Sequence, residues 1–289
     1  LVYNWGYDPV QYNVPEGSLS SDPHNPYSRI FELQDAIAAY HKADMSVIMD
    51  VVYNHVYEAD NYAFEKIVPG YFYRLDERGI RTNGTFCGND VASEKAMVRH
   101  YIQQSVQQWV SLYGFDGFRF DLMGILDITT MKQIAQELKA IYPNIYLYGE
   151  GWQMPTGLDS DLLAHQFNAE QLAEYGFFSD HFRDTIKQTI AQGSRLDKEH
   201  ATSWLENVLT ANVGLTGEPH FLAPHQAINY VECHDNATVF DYFDIQNPNI
   251  SLRQRLANSR LALHIVLLAQ GVPFLHSGQE FYRTKNLID

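Results

Sequence analysis

Cysteine is nearly absent from this chain of 289 residues. Cys87 and Cys233 are the only two, too few for a disulfide framework or a cysteine-held metal cluster, and both read as free thiols. Basic charge is scarce as well. Twenty Lys and Arg stand against 35 Asp and Glu, a net charge of −15, which disfavours any partner held through phosphates, because nucleic-acid binding needs concentrated positive charge. No nucleic-acid partner is expected. No apolar run reaches the roughly 18 residues that span a bilayer, the longest helical candidate near 261–270 being too short, so no membrane partner is expected either. Internal repeats, low-complexity stretches and linkers are missing too. Nothing divides the chain, and the expectation is a single domain over residues 1–289, a length at which one α/β domain is ordinary.

Aromatic residues are abundant, at 13% with 19 Tyr, and a tyrosine offers a flat apolar face with a polar tip suited to neutral polar ligands such as sugars. Along the chain, Ile30, Leu33, Ile37 and Tyr40 recur at helical spacing before the β-branched run "SVIMDVVY" at 46–53; helix then buried strand is the reading. A polar, Tyr- and Gly-rich excursion follows at about 57–92. Next come a helix bearing Val98, Ile102, Val106 and Val110 that stops at Gly114, and the strand "GFRFDLM" from 117. A third helix around Met131, Ile134, Leu138 and Ile141 ends before Pro143, and "IYLYGEGW" at 145–152 is the next strand. Beyond it, "GFFSD" (176–180) is a weak strand, "AINYVECHD" (227–235) a stronger one, and "VPFLHSGQE" (272–280) follows an apolar helix at 254–270. The segment 191–226 reads as irregular, and its "LTGEPHF" has no assignment.

Strands alternating with helices and no hairpin signals mean a parallel sheet with helical crossovers. Six candidate strands fall short of the eight of a closed (β/α)8 barrel. The chain opens on the loop-like "LVYNWGYDP" and stops soon after the last strand, so the expected fold is an incomplete (β/α)8 TIM barrel lacking its first strands. The missing signal peptide then leaves the compartment open between secreted and cytoplasmic.

Each strong strand gives way at its C-terminal end to chemically capable residues, the end where parallel barrels build their sites. Asp50, Asn54 and His55 end the first, Arg119 and Asp121 the second, Glu150 the third, and His234 and Asp235 the fifth. In "GFRFD" strand alternation puts Arg119 and Asp121 on one face, Phe118 and Phe120 on the other. Taken singly these are ordinary: an R-x-D pair is a common structural ion pair, and a lone His55 a common hydrogen-bonded one. Together they gather four carboxylates, two histidines and an arginine, costly to bury for structural reasons alone.

"DVVYNHV", "GFRFD", "GEGW" and "HDN", in this order, resemble the four motifs of the α-amylase superfamily of retaining glycoside hydrolases. "YNWGYDP" with "PEGS" at 15–18 is similar, more narrowly, to type I pullulanases, the debranching subfamily. The resemblance runs from Tyr3 to about Glu280. It implies a catalytic (β/α)8 barrel followed by a C-terminal domain not included here, and a substrate among pullulan, starch and glycogen, cleaved at α-1,6 links.

By that resemblance Asp121 is the nucleophile, Glu150 the acid/base, and Asp235 the third carboxylate that holds sugar hydroxyls. Arg119 keeps Asp121 ionised, since a nearby cation favours a carboxylate; Glu150 must begin protonated, which calls for a less solvated position without a cation. His55 and His234 resemble hydroxyl donors, Tyr7 the aromatic that stacks on the reacting sugar, and Trp152 a platform on the leaving-group side. Asp8 and Asn236 flank these motifs as further substrate-binding candidates. Asp50 supports the site or arranges Arg119. The chemistry needs no cofactor and no catalytic metal. A structural calcium at Asn54 is left open, with no complete oxygen cage in view. Two other readings stand beside this one: an α-1,4-acting amylase or neopullulanase, and a catalytically silent glycan-binding or partner protein of the same fold, which would lack one of the paired carboxylates.

Overall fold

Apolar runs of strand length and apolar positions spaced by three and four alternate, and the computed structural model turns them into parallel strands linked by helices. It describes residues 4–193, 198–213 and 221–286. The chain packs as two compact units, Leu1–Tyr175 and Gly176–Asp289.

In the first unit α1 (Ser28–Lys42) precedes β1 (Ile48–Val51). A short α2 (Ala63–Ile67) lies in the excursion, and α3 (Ala96–Tyr113), β2 (Gly117–Phe120), α4 (Ile128–Ile141) and β3 (Tyr146–Gly149) follow. The three strands run parallel in sequence order, Asp50 opposite Arg119 and Arg119 opposite Tyr148. That register lines the polar residues up in a row. α3 buries Val98, Ile102, Val106 and Val110 as its spacing predicts, and α4 buries Met131, Ile134 and Leu138. Gly114 ends α3 at φ +81, a conformation that costs glycine little, and the Asp127 carboxylate starts α4 by accepting from the Thr130 amide at 3.0 Å. α1 is less buried than its periodicity predicts. Only Ile37 is enclosed and Tyr40 is half exposed, because α1 packs on α3 along a narrow stripe.

In the second unit β4 (Tyr175–Phe178), whose first residue closes the first unit, is followed by α5 (Asp180–Gln192), α6 (Lys198–Leu209), β5 (Ala227–Asn229), α7 (Val239–Gln246), α8 (Leu252–Leu268) and β6 (Val272–Pro273). β5 pairs in parallel with β4 and with β6. Phe182, Ile186, Val231, Phe243 and Val266 make up much of its core. Three sequence readings change here. The weak strand near Gly176 is formed. The segment read as irregular carries α6, while Leu215–His220 of the unassigned stretch lie outside the described residues. β5 ends at Asn229, so Glu232 to Asp235 stand in the loop beyond it, not on a strand.

The excursion folds back on the end of β1. Asn89 uses its side chain to accept from the Val56 amide at 3.0 Å and to donate to the Val56 carbonyl at 2.7 Å. Two of its tyrosines are structural, Tyr62 and Tyr73 being buried among Phe72, Tyr12 and Tyr101, whereas Tyr57 is exposed. Cys87 and Cys233 are free thiols. Among the described residues no helix is long and apolar enough to cross a membrane.

Candidate active site

Arg119 sits in a strand otherwise filled by Gly117, Phe118 and Phe120, and only 6% of it is exposed. A buried guanidinium is costly unless its donors are matched. Here Nη1 donates to Asp50 Oδ1 at 2.8 Å and to Asp121 Oδ1 at 2.7 Å, and Nη2 lies 2.7 Å from Glu150 Oε1. Burial works against the charge, but Glu150, Asp50 and Asp121 outweigh it and push the Arg119 pKa above its ordinary value. One cation thus holds three carboxyl groups.

The chain bends sharply just after β2. Leu122 has φ +40, rare and costly for a leucine, and its amide donates to Glu150 Oε2 at 3.0 Å. The Gly124 amide donates to the Glu150 carbonyl at 3.0 Å, and a Cβ on Gly124 would come within 1.8 Å of the Trp152 carbonyl oxygen. The loops after β2 and β3 are therefore pressed together, which brings Asp121 and Glu150 to the same guanidinium. The requirement that Glu150 lie in a position without a cation is not met. Glu150 is buried as predicted, yet it is ion-paired with Arg119, because the register of β2 and β3 delivers both to one spot. Charge counting supplies a different route to a proton. Three carboxyl groups around one guanidinium leave negative charge in excess, so a proton on the trio relieves repulsion. Asp50 has a raised pKa although its side chain is 40% exposed: burial by the surrounding protein is the main cause, against Arg119 and the Tyr7 hydroxyl, and Asp121 adds only a small push.

Tyr7 donates its hydroxyl to Asp50 Oδ2 at 2.6 Å, and its ring faces Arg119 with the guanidinium carbon 5.6 Å from the centroid. Burial, then Asp50, pushes its pKa well above the ordinary phenol value, so it remains a donor. Asp8 is exposed and accepts from the Asn4 amide at 3.2 Å. Asn54 donates to the Asp121 carbonyl at 2.8 Å and to Asp121 Oδ2 at 2.9 Å, while its Oδ1 meets His55 Nδ1 at 2.5 Å. Burial lowers the His55 pKa against the pull of Asp121, favouring the neutral ring. Among the described residues no three His, Cys, Asp or Glu side chains gather as a metal site. Trp152 is partly buried, and the segment after it lines a recess of about 320 Å³ with Gln153, Met154, Pro155 and Thr156.

In the second unit His234, Asp235 and Asn236 follow β5 in one loop. His234 Nε2 lies 3.5 Å from Asp235 Oδ2, and Asn236 has φ +58.

No family model matches the sequence. A pullulanase of Bacillus subtilis is 44% identical over all of this chain and 41% of its own length. A chloroplastic pullulanase of Arabidopsis thaliana is 32% identical over 99% of the chain and 36% of its own length. A Paenibacillus barengoltzii pullulanase, solved in complex with maltohexaose and alpha-cyclodextrin, superposes with a TM-score of 0.94 at 45% identity, covering 99% of this chain and 45% of that one. The chain belongs to the pullulanase family. It spans less than half the length of the pullulanases it matches.

Sequence reasoning missed the bond from Asn54 to Asp121, and it passed over Glu232, His276 and Lys285, which surround the loop of Asp235. A charged residue in the otherwise apolar "NYVE", and a histidine just past β6 in "FLHS", were the available signals.

Proposed function

We propose that the protein is a retaining glycoside hydrolase that cleaves α-1,6-glucosidic links in pullulan and branched α-glucans. The observation that carries it is the pair Asp121 and Glu150 on one guanidinium, since retaining hydrolysis needs a nucleophile and an acid/base close together. The pullulanases it resembles along its length, one of them solved with maltohexaose, support the substrate class. The parallel strand and helix alternation supports a (β/α)8 catalytic barrel.

Asp121 attacks the anomeric carbon as the bond to the leaving oxygen breaks, and Glu150 gives that oxygen its proton. The product is a glycosyl ester on Asp121. Glu150, now a carboxylate, takes a proton from water as the water attacks the anomeric carbon and frees Asp121. Asn54 and Arg119 hold Asp121 from two sides, so it meets the sugar in one orientation. Tyr7 has its hydroxyl engaged by Asp50 and offers the sugar its ring. In the first unit His55 and Asp8 take sugar hydroxyls, and Trp152 with the recess that follows it takes the leaving chain; in the second unit His234, Asp235 and Asn236 are, by the resemblance, further partners for sugar hydroxyls. No step uses a metal or cofactor.

Product analysis with the full-length protein tests this. Maltotriose from pullulan is the expected outcome; panose would move the protein to the neopullulanase type, and binding without turnover would make it a silent member of the fold.

A further inference from the structure

Two side chains outside the predicted site close the loop that carries Asp235. Glu232, 3% exposed, accepts from the amide of Val239, the first residue of α7, through Oε2 at 2.6 Å. The loop's two ends are thereby stapled by its own preceding residue. Glu232 Oε1 lies 3.1 Å from His276 Nδ1, in the segment after β6. At the middle of the loop the Lys285 ammonium donates to the carbonyls of His234 at 2.5 Å and Asn236 at 2.6 Å. Lys285 is itself anchored: its amide donates to Asp241 Oδ2 at 2.7 Å and the Thr284 hydroxyl to Asp241 Oδ1 at 2.6 Å, both on α7. Between these ties Asn236 is held at φ +58, a conformation that surroundings must enforce.

We propose that Glu232 and Lys285 are positioning residues: they fix the backbone that presents His234, Asp235 and Asn236 to the sugar, and neither touches it. This rests on the hydrolytic reading above. Burial pushes Glu232 up to about 7, opposed by the Val239 amide, Arg283 and Lys187 of α5 and reinforced by Asp241 of α7. Burial, with Arg283, Lys285 and His234, pushes His276 down to about 4. Below about pH 7 Glu232 is neutral and donates to His276 Nδ1. Above it the carboxylate accepts from the other tautomer, and a new negative charge appears beside Asp241 on the loop that already bears Asp235 and Cys233. Activity of the native protein therefore falls as pH rises through about 7.

The test uses the full-length protein and pullulan. Glu232→Ala and Lys285→Met are expected to lower kcat/KM on the order of 10²-fold, the scale of a misplaced reacting group, with most of the loss in kcat. Glu232→Gln keeps an acceptor for Val239 and a donor for His276, so it should retain turnover below pH 7 and lose the fall above it; Lys285→Arg should recover much of what Lys285→Met loses. Retention within twofold in Glu232→Ala and Lys285→Met, or an unchanged pH profile in Glu232→Gln, would overturn the proposal. If the native protein cleaves neither pullulan nor amylose, the hydrolytic reading fails on its own. Amide hydrogen exchange then decides the positioning role: exchange over 233–238 must rise in Glu232→Ala and Lys285→Met but not in Glu232→Gln, and equal protection in all three would refute it.

Discussion

Arg119 decides most of what the first unit can do chemically. It is a permanently charged fork whose donors are shared by Asp50, Asp121 and Glu150, and the two carboxyl groups assigned to chemistry must then differ by something other than distance from a cation. They do. Asp121 Oδ2 accepts from the Asn54 side-chain amide at 2.9 Å, whereas Glu150 Oε2 accepts from the Leu122 backbone amide at 3.0 Å. The Asn54 bond, with Arg119 on the other carboxylate oxygen, holds Asp121 in one orientation, which suits a nucleophile. Asp121→Asn should cut turnover on the order of 10⁴-fold or more, with glucan binding retained. Glu150→Gln should do the same on natural glucans, yet it should keep the glycosylation step on a substrate whose leaving group is strongly acidic, since that group departs without a proton. Pre-steady-state release of such a leaving group reads this directly, and equal loss in both variants would reverse the assignment. Which residue types stand at strand ends was legible in the sequence. The partners they choose were not, because Asn54 reaches Asp121 across 67 positions, and only the parallel register determines that contact.

Helices α3 and α4 could be read almost to the residue, since each is amphipathic and ends where the chain declares it, α3 at Gly114 and α4 just before Pro143. β5 and β6 could not. An apolar run such as "AINYV" is compatible with a long strand, but ladder pairing ends at Asn229 because the facing strands are themselves short. The loops at strand ends, where the candidate site stands, depend on close approaches that periodicity does not encode. Gly124 is the clearest: its missing Cβ is what lets the loop after β2 lie against the Trp152 carbonyl. Gly124→Ala should force those loops apart, cost roughly 1–3 kcal/mol as overpacking does, and reduce turnover beyond what the loss of folded protein explains. Thermal unfolding beside activity per folded molecule separates the two effects. A variant with native activity would show that Asp121 and Glu150 do not depend on this contact.

For the molecule as a whole, hydrolysis of α-glucan is shared across the superfamily that the four motifs resemble, while the choice of linkage must come from parts outside those motifs. An α-1,6 link has an extra rotatable bond through C6, so its leaving chain departs at a different angle from that of an α-1,4 link, although the reacting glucose is the same. Residues gripping that glucose cannot tell the two apart. Two features lie outside the shared grip. The "YNWGYDP" loop is folded by Asn4, which accepts from the Gly6 amide at 2.6 Å, and is tied down through Tyr7 on Asp50 at 2.6 Å and through the Pro9 carbonyl, which accepts from the Tyr57 amide at 3.0 Å. Trp152 directly precedes Gln153 to Thr156, which line a recess. Selectivity built this way is differential binding of two transition states. The full-length protein should therefore show a higher kcat/KM on pullulan than on amylose. Trp152→Ala should narrow that ratio by about tenfold, roughly 1.4 kcal/mol of discrimination, and Tyr7→Ala should lower both activities while narrowing the ratio less, since its ring also serves the reacting sugar. Steady-state rates for both substrates at one pH measure this. Faster release of maltose from amylose than of maltotriose from pullulan, or an equal loss on both substrates in Trp152→Ala, would place the choice of linkage elsewhere in the protein.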